Sequence, residues 1–147
     1  DDKMTRGILV TVLYRLAGEP GAGQSSFSDV SRGIWYGEAV AWAWEQGIVK
    51  GYGSGKFRPD APVTREQMAV ILYNYAESRG YDLSAAGDTA QFADRAKVSD
   101  WAVDAMEWAV GAGLITGKSQ DILDPGGNAS RAQVAEILMR FVERIIK

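Results

Sequence analysis

The chain repeats itself, and this internal repeat limits the folds that it can adopt. Eight positions in its first half carry the same or a similar residue sixty-six positions later. These residues are Trp35, Trp42, Gly47, Gly51, Pro59, Thr64, Arg65 and Gln67, matched by Trp101, Trp108, Gly113, Gly117, Pro125, Ser130, Arg131 and Gln133. Phe27-Ser-Asp29 likewise recurs as Phe92-Ala-Asp94. A fixed period of this length is typical of tandem structural units, so we predict a protein built from repeats.

A third, partial copy opens the chain. Met4-Thr5-Arg6 corresponds to Val63-Thr64-Arg65, so the sequence starts in the middle of a unit. We predict the second half of repeat 1 in residues 1–20, repeat 2 in residues 27–82 and repeat 3 in residues 92–147. Apolar residues at the same helical spacing follow the arginine in all three copies. They are Leu9, Val12, Leu13 and Leu16; Met68, Ile71, Leu72 and Tyr75; and Val134, Ile137, Leu138 and Phe141.

Each complete unit is predicted to be a helix, a loop and a second helix, which makes the protein all-α. The first helices cover about 36–46 and 100–112 and end at Gly47 and Gly113, because glycine supplies the left-handed cap. The second helices cover about 64–79 and 130–146, each opened by a capping box, and a fifth helix covers 5–17. The connections are short and irregular or 3₁₀, and the twelve apolar positions form the core.

Composition excludes several classes of function. The chain of 147 residues contains no cysteine and no histidine, so thiolate metal sites, thiol nucleophiles and Ser-His triads are absent, and we expect no metal and no cofactor. A net charge of −3 argues against nucleic acid and anionic lipid as partners, and no apolar run is long enough for membrane insertion. Carboxylate chemistry remains open, but no acid lies in a recognisable glycosidase motif, so we expect no enzyme activity.

An arginine follows the cap of every second helix: Arg6, Arg65 and Arg131. A cation is unfavourable there, because the helix dipole places positive partial charge at the same end. A helix start with a guanidinium is, however, a good receptor for an anion such as a carboxylate. The alternative is that each arginine pairs internally with an acid such as Asp29, Asp94 or Glu66, and one arginine can do both.

Five tryptophans form the second unusual feature. Trp42 and Trp108 lie inside the first helices among alanines, which favours packing between helices. Trp35 and Trp101 lie at the start of those helices, near Asp29 and Asp94. There a tryptophan can stack on the apolar face of a sugar while acids and amides bind its hydroxyls, and ligand contact and simple packing remain equal alternatives.

The motifs together resemble the S-layer homology repeat of bacterial surface proteins. The resemblance rests on Phe27-x-Asp29-Val30, Trp35-Tyr36, Gly47-Ile48-Val49-x-Gly51-Tyr52-Gly-x-Gly55-x-Phe57-x-Pro59 and Val63-Thr64-Arg65-Glu66-Gln67. Repeat 3 resembles it through Phe92-x-Asp94, Trp101, Gly113-Leu-Ile115-x-Gly117, Pro125 and Ser130-Arg131-Ala132-Gln133. Repeat 3 departs from the pattern in its loop, where Lys118-Ser-Gln-Asp-Ile-Leu123 replaces the Gly-Tyr and Gly-x-Phe residues.

The resemblance implies a pseudo-threefold unit, with the second helices bundled centrally, the first repeat truncated, and grooves between neighbouring repeats. It also implies a non-catalytic module that binds secondary cell-wall polysaccharide, typically carrying a pyruvate ketal, and anchors its parent protein outside the cell, in the wall or S-layer of a bacterium. The leading alternative is a protein-interaction module for lateral assembly of surface proteins, and a carboxylate-using glycosidase is a distant third.

The same resemblance predicts the ligand-binding residues. Arg6 is expected to face Asp29 and Trp35 in one groove, and Arg65 is expected to face Asp94 and Trp101 in the next. Arg131 is expected to lack its counterpart, because the front half of repeat 1 is missing, so its groove is incomplete. The apolar flank that this half would cover, on the first and last helices, is expected to be open, so the protein either self-associates or keeps the missing half bound as a separate piece.

Overall fold

The computed structural model describes residues 3–23, 27–31, 33–50, 55–116 and 122–146. Within these ranges the protein is helical, with no strand or sheet beyond isolated backbone bridges. The five α-helices are α1 (Arg6–Leu16), α2 (Gly37–Glu45), α3 (Arg65–Ser78), α4 (Val103–Gly111) and α5 (Arg131–Phe141). The all-α prediction is confirmed, and the pseudo-threefold arrangement stays a prediction.

Short irregular helices extend two of the five. The 3₁₀ turns Arg95–Lys97 and Asp100–Ala102 precede α4, so the helix predicted from Asp100 begins as a 3₁₀ turn. A π-helical turn, Val142–Ile146, continues α5 to the end of the predicted span. The predicted loop residues 51–54 and 117–121 lie outside the described residues.

The helix starts are capped as the sequence predicts. In α3 the Thr64 hydroxyl accepts from the Gln67 backbone N–H, and the Gln67 side chain accepts from the Thr64 N–H. Ser130 and Gln133 form the same reciprocal pair at α5. The Thr5 hydroxyl accepts from the N–H of Ile8, without a return bond from that apolar side chain. Each cap satisfies backbone donors that have no partner within the helix.

Two glycines end the first helices. Gly47 follows α2 with φ of 75°, and Gly113 follows α4 with φ of 74°. This left-handed conformation costs a residue with a Cβ atom more than it costs glycine. The predicted glycine caps are confirmed.

The chain divides into two compact units that are offset from the sequence repeats. Met4–Pro62 forms one unit and contains α1 and α2, and Val63–Lys147, together with Lys3, forms the other and contains α3 to α5. In each unit the second helix of one repeat packs against the first helix of the next: α1 against α2, and α3 against α4. Tyr14 on Trp42 and Tyr73 on Trp108 mark these contacts, each with ring centroids 5.5 Å apart.

Most of the predicted core is buried. Nine of the twelve predicted positions are buried, and Val12 and Leu138 are partly exposed. Leu16 corrects the prediction, because it is 40% exposed at the last residue of α1, where the chain turns away from the helix. Trp42 and Trp108 are buried in the helix contacts, as predicted. None of the helices formed by the described residues has the length and apolar character that a bilayer crossing requires.

Candidate functional site

In the unit Met4–Pro62, Arg6 and Asp29 both hold one segment of the loop before α3. Arg6 Nε donates to the backbone carbonyl of Phe57 at 3.0 Å, and the guanidinium carbon lies 4.6 Å from the centroid of the Phe57 ring. The Asp29 carboxylate accepts from the backbone N–H of Phe57 at 2.8 Å and from that of Arg58 at 2.7 Å. We call this arrangement of arginine, aspartate and loop backbone the loop clamp.

The second unit contains the same loop clamp. Arg65 Nε donates to the carbonyl of Leu123 at 2.7 Å, and Asp94 accepts from the N–H groups of Leu123 at 2.9 Å and Asp124 at 2.8 Å. Leu123 replaces the phenylalanine of the first clamp and is equally buried. Because the clamp uses the backbone of the loop, the altered loop sequence of repeat 3 leaves it intact.

The clamp lowers the pKa of both aspartates. Burial by itself raises the pKa of Asp29 and Asp94, but the backbone N–H groups that donate to each carboxylate outweigh burial and hold both pKa values below the ordinary aspartate value.

The residue that follows each clamped position has a positive φ, which is 59° at Arg58 and 52° at Asp124. This conformation is rare without glycine, and the carboxylate that binds its N–H helps to hold it.

The Arg65 guanidinium is buried but keeps donors that no described residue uses. Only 4% of the residue is exposed, and burial lowers its pKa while the carboxylates of Asp124 and Asp94 oppose that shift. Among the described residues its Nε makes the only hydrogen bond of the side chain. Arg65 also lines a pocket of about 220 Å³. The terminal amino groups of a fixed guanidinium beside a pocket suit an anion.

The walls of this pocket, which we call the Arg65 pocket, come mainly from α5 and the segment after α4. Arg140 contributes a second guanidinium, which pairs with Glu136 and donates to the carbonyl of Leu114 at 3.4 Å. Gln133, whose side chain also caps α5, completes the polar lining. The apolar part of the wall comes from Leu114, Ile115 and Ile137.

Trp35 lies in a different cavity, which we call the Trp35 groove. The groove has a volume of about 700 Å³ and lies between α1, the segment that follows it and the start of α2. Trp35 is 64% exposed, and its ring packs edge-on against Tyr36, which is buried. Neither Arg6 nor Asp29 is among the described residues that line the groove. The structure therefore brings Arg6 and Asp29 together at the clamp and places Trp35 elsewhere.

Trp101 and Glu66 are the remaining predicted residues in the unit that contains α3 to α5. Trp101 is 60% exposed and lies in the 3₁₀ turn before α4, so it presents its ring to solvent as Trp35 does. Glu66, considered above as an internal partner for arginine, instead accepts from the N–H and the hydroxyl of Ser99 at 2.9 and 2.8 Å. Its carboxylate thus holds the residue directly before the 3₁₀ turn that carries Trp101 against the start of α3.

Arg131 differs from its two counterparts because it is exposed, whereas Arg6 and Arg65 are buried. Among the described residues no hydrogen bond or ion pair involves its side chain. The exposure extends along α5. Ala135 and Met139 are exposed, although the positions equivalent to Ala135 in the other second helices, Val10 and Ala69, are completely buried.

Comparison with known proteins agrees with this repeated geometry. The profile of the S-layer homology domain matches residues 26–69 and 91–135, which is more than half of the chain. The chain belongs to the S-layer homology family. The two matches contain both aspartates and both tryptophans of the candidate site, and each ends within the second helix of its repeat.

Relatives that contain S-layer homology sequence include enzymes and surface proteins. An amylopullulanase of Thermoanaerobacterium thermosulfurigenes is 35% identical over 80% of this chain, and a surface-layer 125 kDa protein of Lysinibacillus sphaericus is 32% identical over 84%. A cellulosome-anchoring protein of Acetivibrio thermocellus is 28% identical over 98%. This chain spans only 6%, 10% and 33% of those three proteins, respectively.

Several residues that line the Arg65 pocket and the Trp35 groove were not predicted from the sequence. Arg140 lines the Arg65 pocket, and Arg15, at the same position of its own second helix, lines the Trp35 groove. Both arginines occupy the same position in the repeat, and this shared position could have identified them from the sequence. Glu38 gave no such signal, because it enters the Trp35 groove through the packing of α2 on α1. There it accepts from the hydroxyl of Tyr14 at 2.9 Å.

Proposed function

We propose that this chain is a non-catalytic module that anchors a larger protein to a bacterial cell wall by binding a secondary wall polysaccharide that carries pyruvate ketals. The S-layer homology family, with a surface-layer protein and a cellulosome-anchoring protein among its members, supports an extracellular location at the wall. The enzyme relative matches over only 6% of its length, which agrees with a module separate from any catalytic domain.

The observation that carries the proposal is the Arg65 guanidinium. It is fixed by one hydrogen bond, removed from bulk water, and still has terminal donors beside a pocket. A pyruvate ketal presents a carboxylate, which accepts two parallel hydrogen bonds from such a fork. The clamp explains why the cation tolerates a helix start, since its Nε stabilises the loop while the other nitrogens remain available to a ligand. The same function draws on the surfaces around the two loop clamps and the two exposed tryptophans. The remaining residues of these surfaces are Arg6, Asp29, Trp35, Asp94 and Trp101.

A second candidate function is lateral assembly through protein contacts. The exposed face of α5, with Arg131, Ala135 and Met139, favours it, because an exposed face at positions that are buried in equivalent helices is a candidate interface. Under this alternative the wall polysaccharide is not the partner.

Purified wall sacculi distinguish the two functions. We expect the chain to sediment with sacculi of Lysinibacillus sphaericus and to remain in solution after the secondary polysaccharide has been stripped from them. Arg65→Ala should reduce sedimentation with intact sacculi, whereas Arg131→Ala should leave it nearly unchanged. Binding that survives stripping would favour the protein-interaction alternative and reject the proposed ligand.

A further inference from the structure

The two guanidiniums of the Arg65 pocket are held in different ways. Arg65 donates from Nε to the carbonyl of Leu123, and its two terminal nitrogens have no hydrogen-bond partner among the described residues. Arg140 uses both of its terminal nitrogens. One donates to the carboxylate of Glu136, and the other donates to the carbonyl of Leu114 at 3.4 Å. Arg65 can therefore receive an anion, whereas the charge of Arg140 is already paired within the protein.

Glu136 is the only acid among the described residues that line this pocket. One of its oxygens accepts from Arg140, and the other has no hydrogen-bond partner in the part of the chain that the structure describes. The Glu136 side chain is 55% exposed, and an ion pair in such contact with water contributes little to the stability of a fold. The described lining thus contains two guanidiniums and one carboxylate, which leaves a net charge of one positive unit.

This acid is particular to repeat 3. The position of Glu136 in α5 is occupied by Val70 in α3 and by Thr11 in α1. The Thr11 hydroxyl bonds within its own helix, where it donates to the carbonyl of Gly7 at 2.8 Å. Second helices of this family therefore form and pack in this chain without an acid at that position. The fold does not require Glu136, which leaves its effect on the pocket as the property to explain.

The net charge of a small pocket decides which anions it can compensate. A carboxylate carries one negative charge, whereas a phosphate monoester carries about 1.5 to 2 at pH 7. Because Coulomb energy is proportional to the charge of the ligand, the Glu136 carboxylate repels the phosphate almost twice as strongly as it repels the carboxylate. The phosphate also loses more hydration energy on entering the pocket. One net positive charge therefore matches a carboxylate and leaves a phosphate monoester partly uncompensated.

We infer that Glu136 is the specificity-determining residue of the Arg65 pocket: its carboxylate limits the positive charge there, so that a carboxylate binds in preference to a phosphate monoester. The inference rests on the proposed function, because it concerns the anion that Arg65 receives. It goes further by naming the class of anion that the pocket rejects and the residue that rejects it. Arg140 acts as a positioning residue, because its contact with Glu136 holds the carboxylate at the pocket.

The test uses two probes with the same sugar frame: a disaccharide of N-acetylhexosamines that carries a pyruvate ketal, and the same disaccharide carrying a phosphate monoester. Both are titrated calorimetrically at about pH 8, above the second phosphate pKa of about 6. Glu136→Gln keeps the size of the side chain and an acceptor for Arg140 but removes the charge. We expect it to strengthen binding of the ketal about threefold and binding of the phosphate about tenfold, because the gain in free energy scales with ligand charge.

The ratio of the two affinities is the decisive readout, because a general loosening of the pocket would weaken both probes together. Glu143→Gln is the matched control. It removes an exposed carboxylate from the turn that continues α5, outside the described lining of the pocket, and it should leave both affinities unchanged. Adding Arg65→Ala to Glu136→Gln should abolish both gains.

Three outcomes separate this inference from the proposed function. An equal gain for both probes in Glu136→Gln, or no gain with an unchanged melting temperature, would overturn the inference and leave the ketal site in place. A ketal probe that is insensitive to Arg65→Ala, together with phosphate binding by Glu136→Gln that requires Arg65, would overturn the proposed ligand and support the charge selection. No binding of either probe by any variant would overturn both.

Discussion

Arg6, Arg65 and Arg131 occupy the same helical position, yet their environments differ. A cation at a helix start costs about 0.3–1 kcal/mol. A charge-assisted hydrogen bond contributes about 1.5–3 kcal/mol, so the bond from Nε to the loop carbonyl outweighs that cost in Arg6 and Arg65. The clamp alone therefore explains these two arginines structurally, and a ligand of Arg65 must bind the terminal nitrogens that the clamp does not use.

Arg65→Ala is predicted to weaken binding of a pyruvylated wall fragment about ten- to a hundredfold, because two charge-assisted hydrogen bonds are lost. Arg65→Lys should recover only part of the affinity, because an ammonium cannot present a planar fork. Calorimetric titration of the folded variants measures this. Arg6→Ala breaks the equivalent clamp contact in the other unit without touching the Arg65 pocket, so its effect on affinity reports the first groove separately. Arg131→Ala should cost much less, because Arg131 is exposed, and a loss as large as in Arg65→Ala would contradict the prediction.

The clamp aspartates predict a dependence of stability on pH. The pKa of Asp94 is lower in the folded protein than the unfolded value of about 3.9, so its contribution is complete above that pH and is lost as the pH falls through the folded pKa. We expect the free energy of unfolding to fall below about pH 4 in wild type and to fall less in Asp94→Asn. At pH 7 the substitution should cost about 1–3 kcal/mol. Urea unfolding at several pH values measures both, and identical pH profiles would contradict the prediction.

The three second helices, α1, α3 and α5, share a sequence pattern but not a buried surface. In α1 and α3 the face that carries Val10 and Ala69 is fully buried, in units where α2 and α4 pack on them. In α5 the same face, at Ala135, is exposed. Ala69 and Ala135, which are identical residues at equivalent positions, therefore differ in energetic importance, because burial depends on the neighbouring element rather than on the helix itself.

Ala69 and Ala135 provide a matched test of this difference in burial. Ala69→Lys should lower the free energy of unfolding by about 2–5 kcal/mol, because it forces a charge into a buried contact. At a concentration low enough to keep the protein monomeric, Ala135→Lys should change it by no more than about 0.5 kcal/mol, as is typical of surface substitutions. Both helices tolerate lysine well, so propensity does not separate them. Equal destabilisation by the two substitutions would show that the α5 face is covered in solution.

At the scale of the whole molecule, the exposed face of α5 predicts self-association. Met139 is 55% exposed and Val142 is 40% exposed, close to Arg131 and Ala135 along the same chain segment. Large exposed apolar side chains in one region favour contact with a second protein surface. We expect light scattering to show a concentration-dependent increase in mass, and Met139→Asp to abolish it. A monomer at all concentrations, unaffected by the substitution, would contradict this prediction.

The tandem repeat, the helix boundaries and the caps could be predicted from sequence because they depend on local chemistry. A threonine or serine three residues before glutamine satisfies free N–H groups wherever the helix lies, as at Thr64 and Ser130. Most of the core followed from helical spacing for the same reason. The prediction that Leu16 lies in the core was wrong, because helical spacing alone does not show where the chain leaves its helix.

The tertiary structure decided how the repeats are used. The compact units pair the second half of one repeat with the first half of the next, because that is where Tyr14 meets Trp42 and Tyr73 meets Trp108. Trp35 lines a groove that neither Arg6 nor Asp29 lines among the described residues, since both side chains of the clamp bind the loop backbone. Sequence by itself determined which residues recur and which local bonds they make. The fold alone determined which of them share a cavity, because distances between segments far apart in the chain depend on packing.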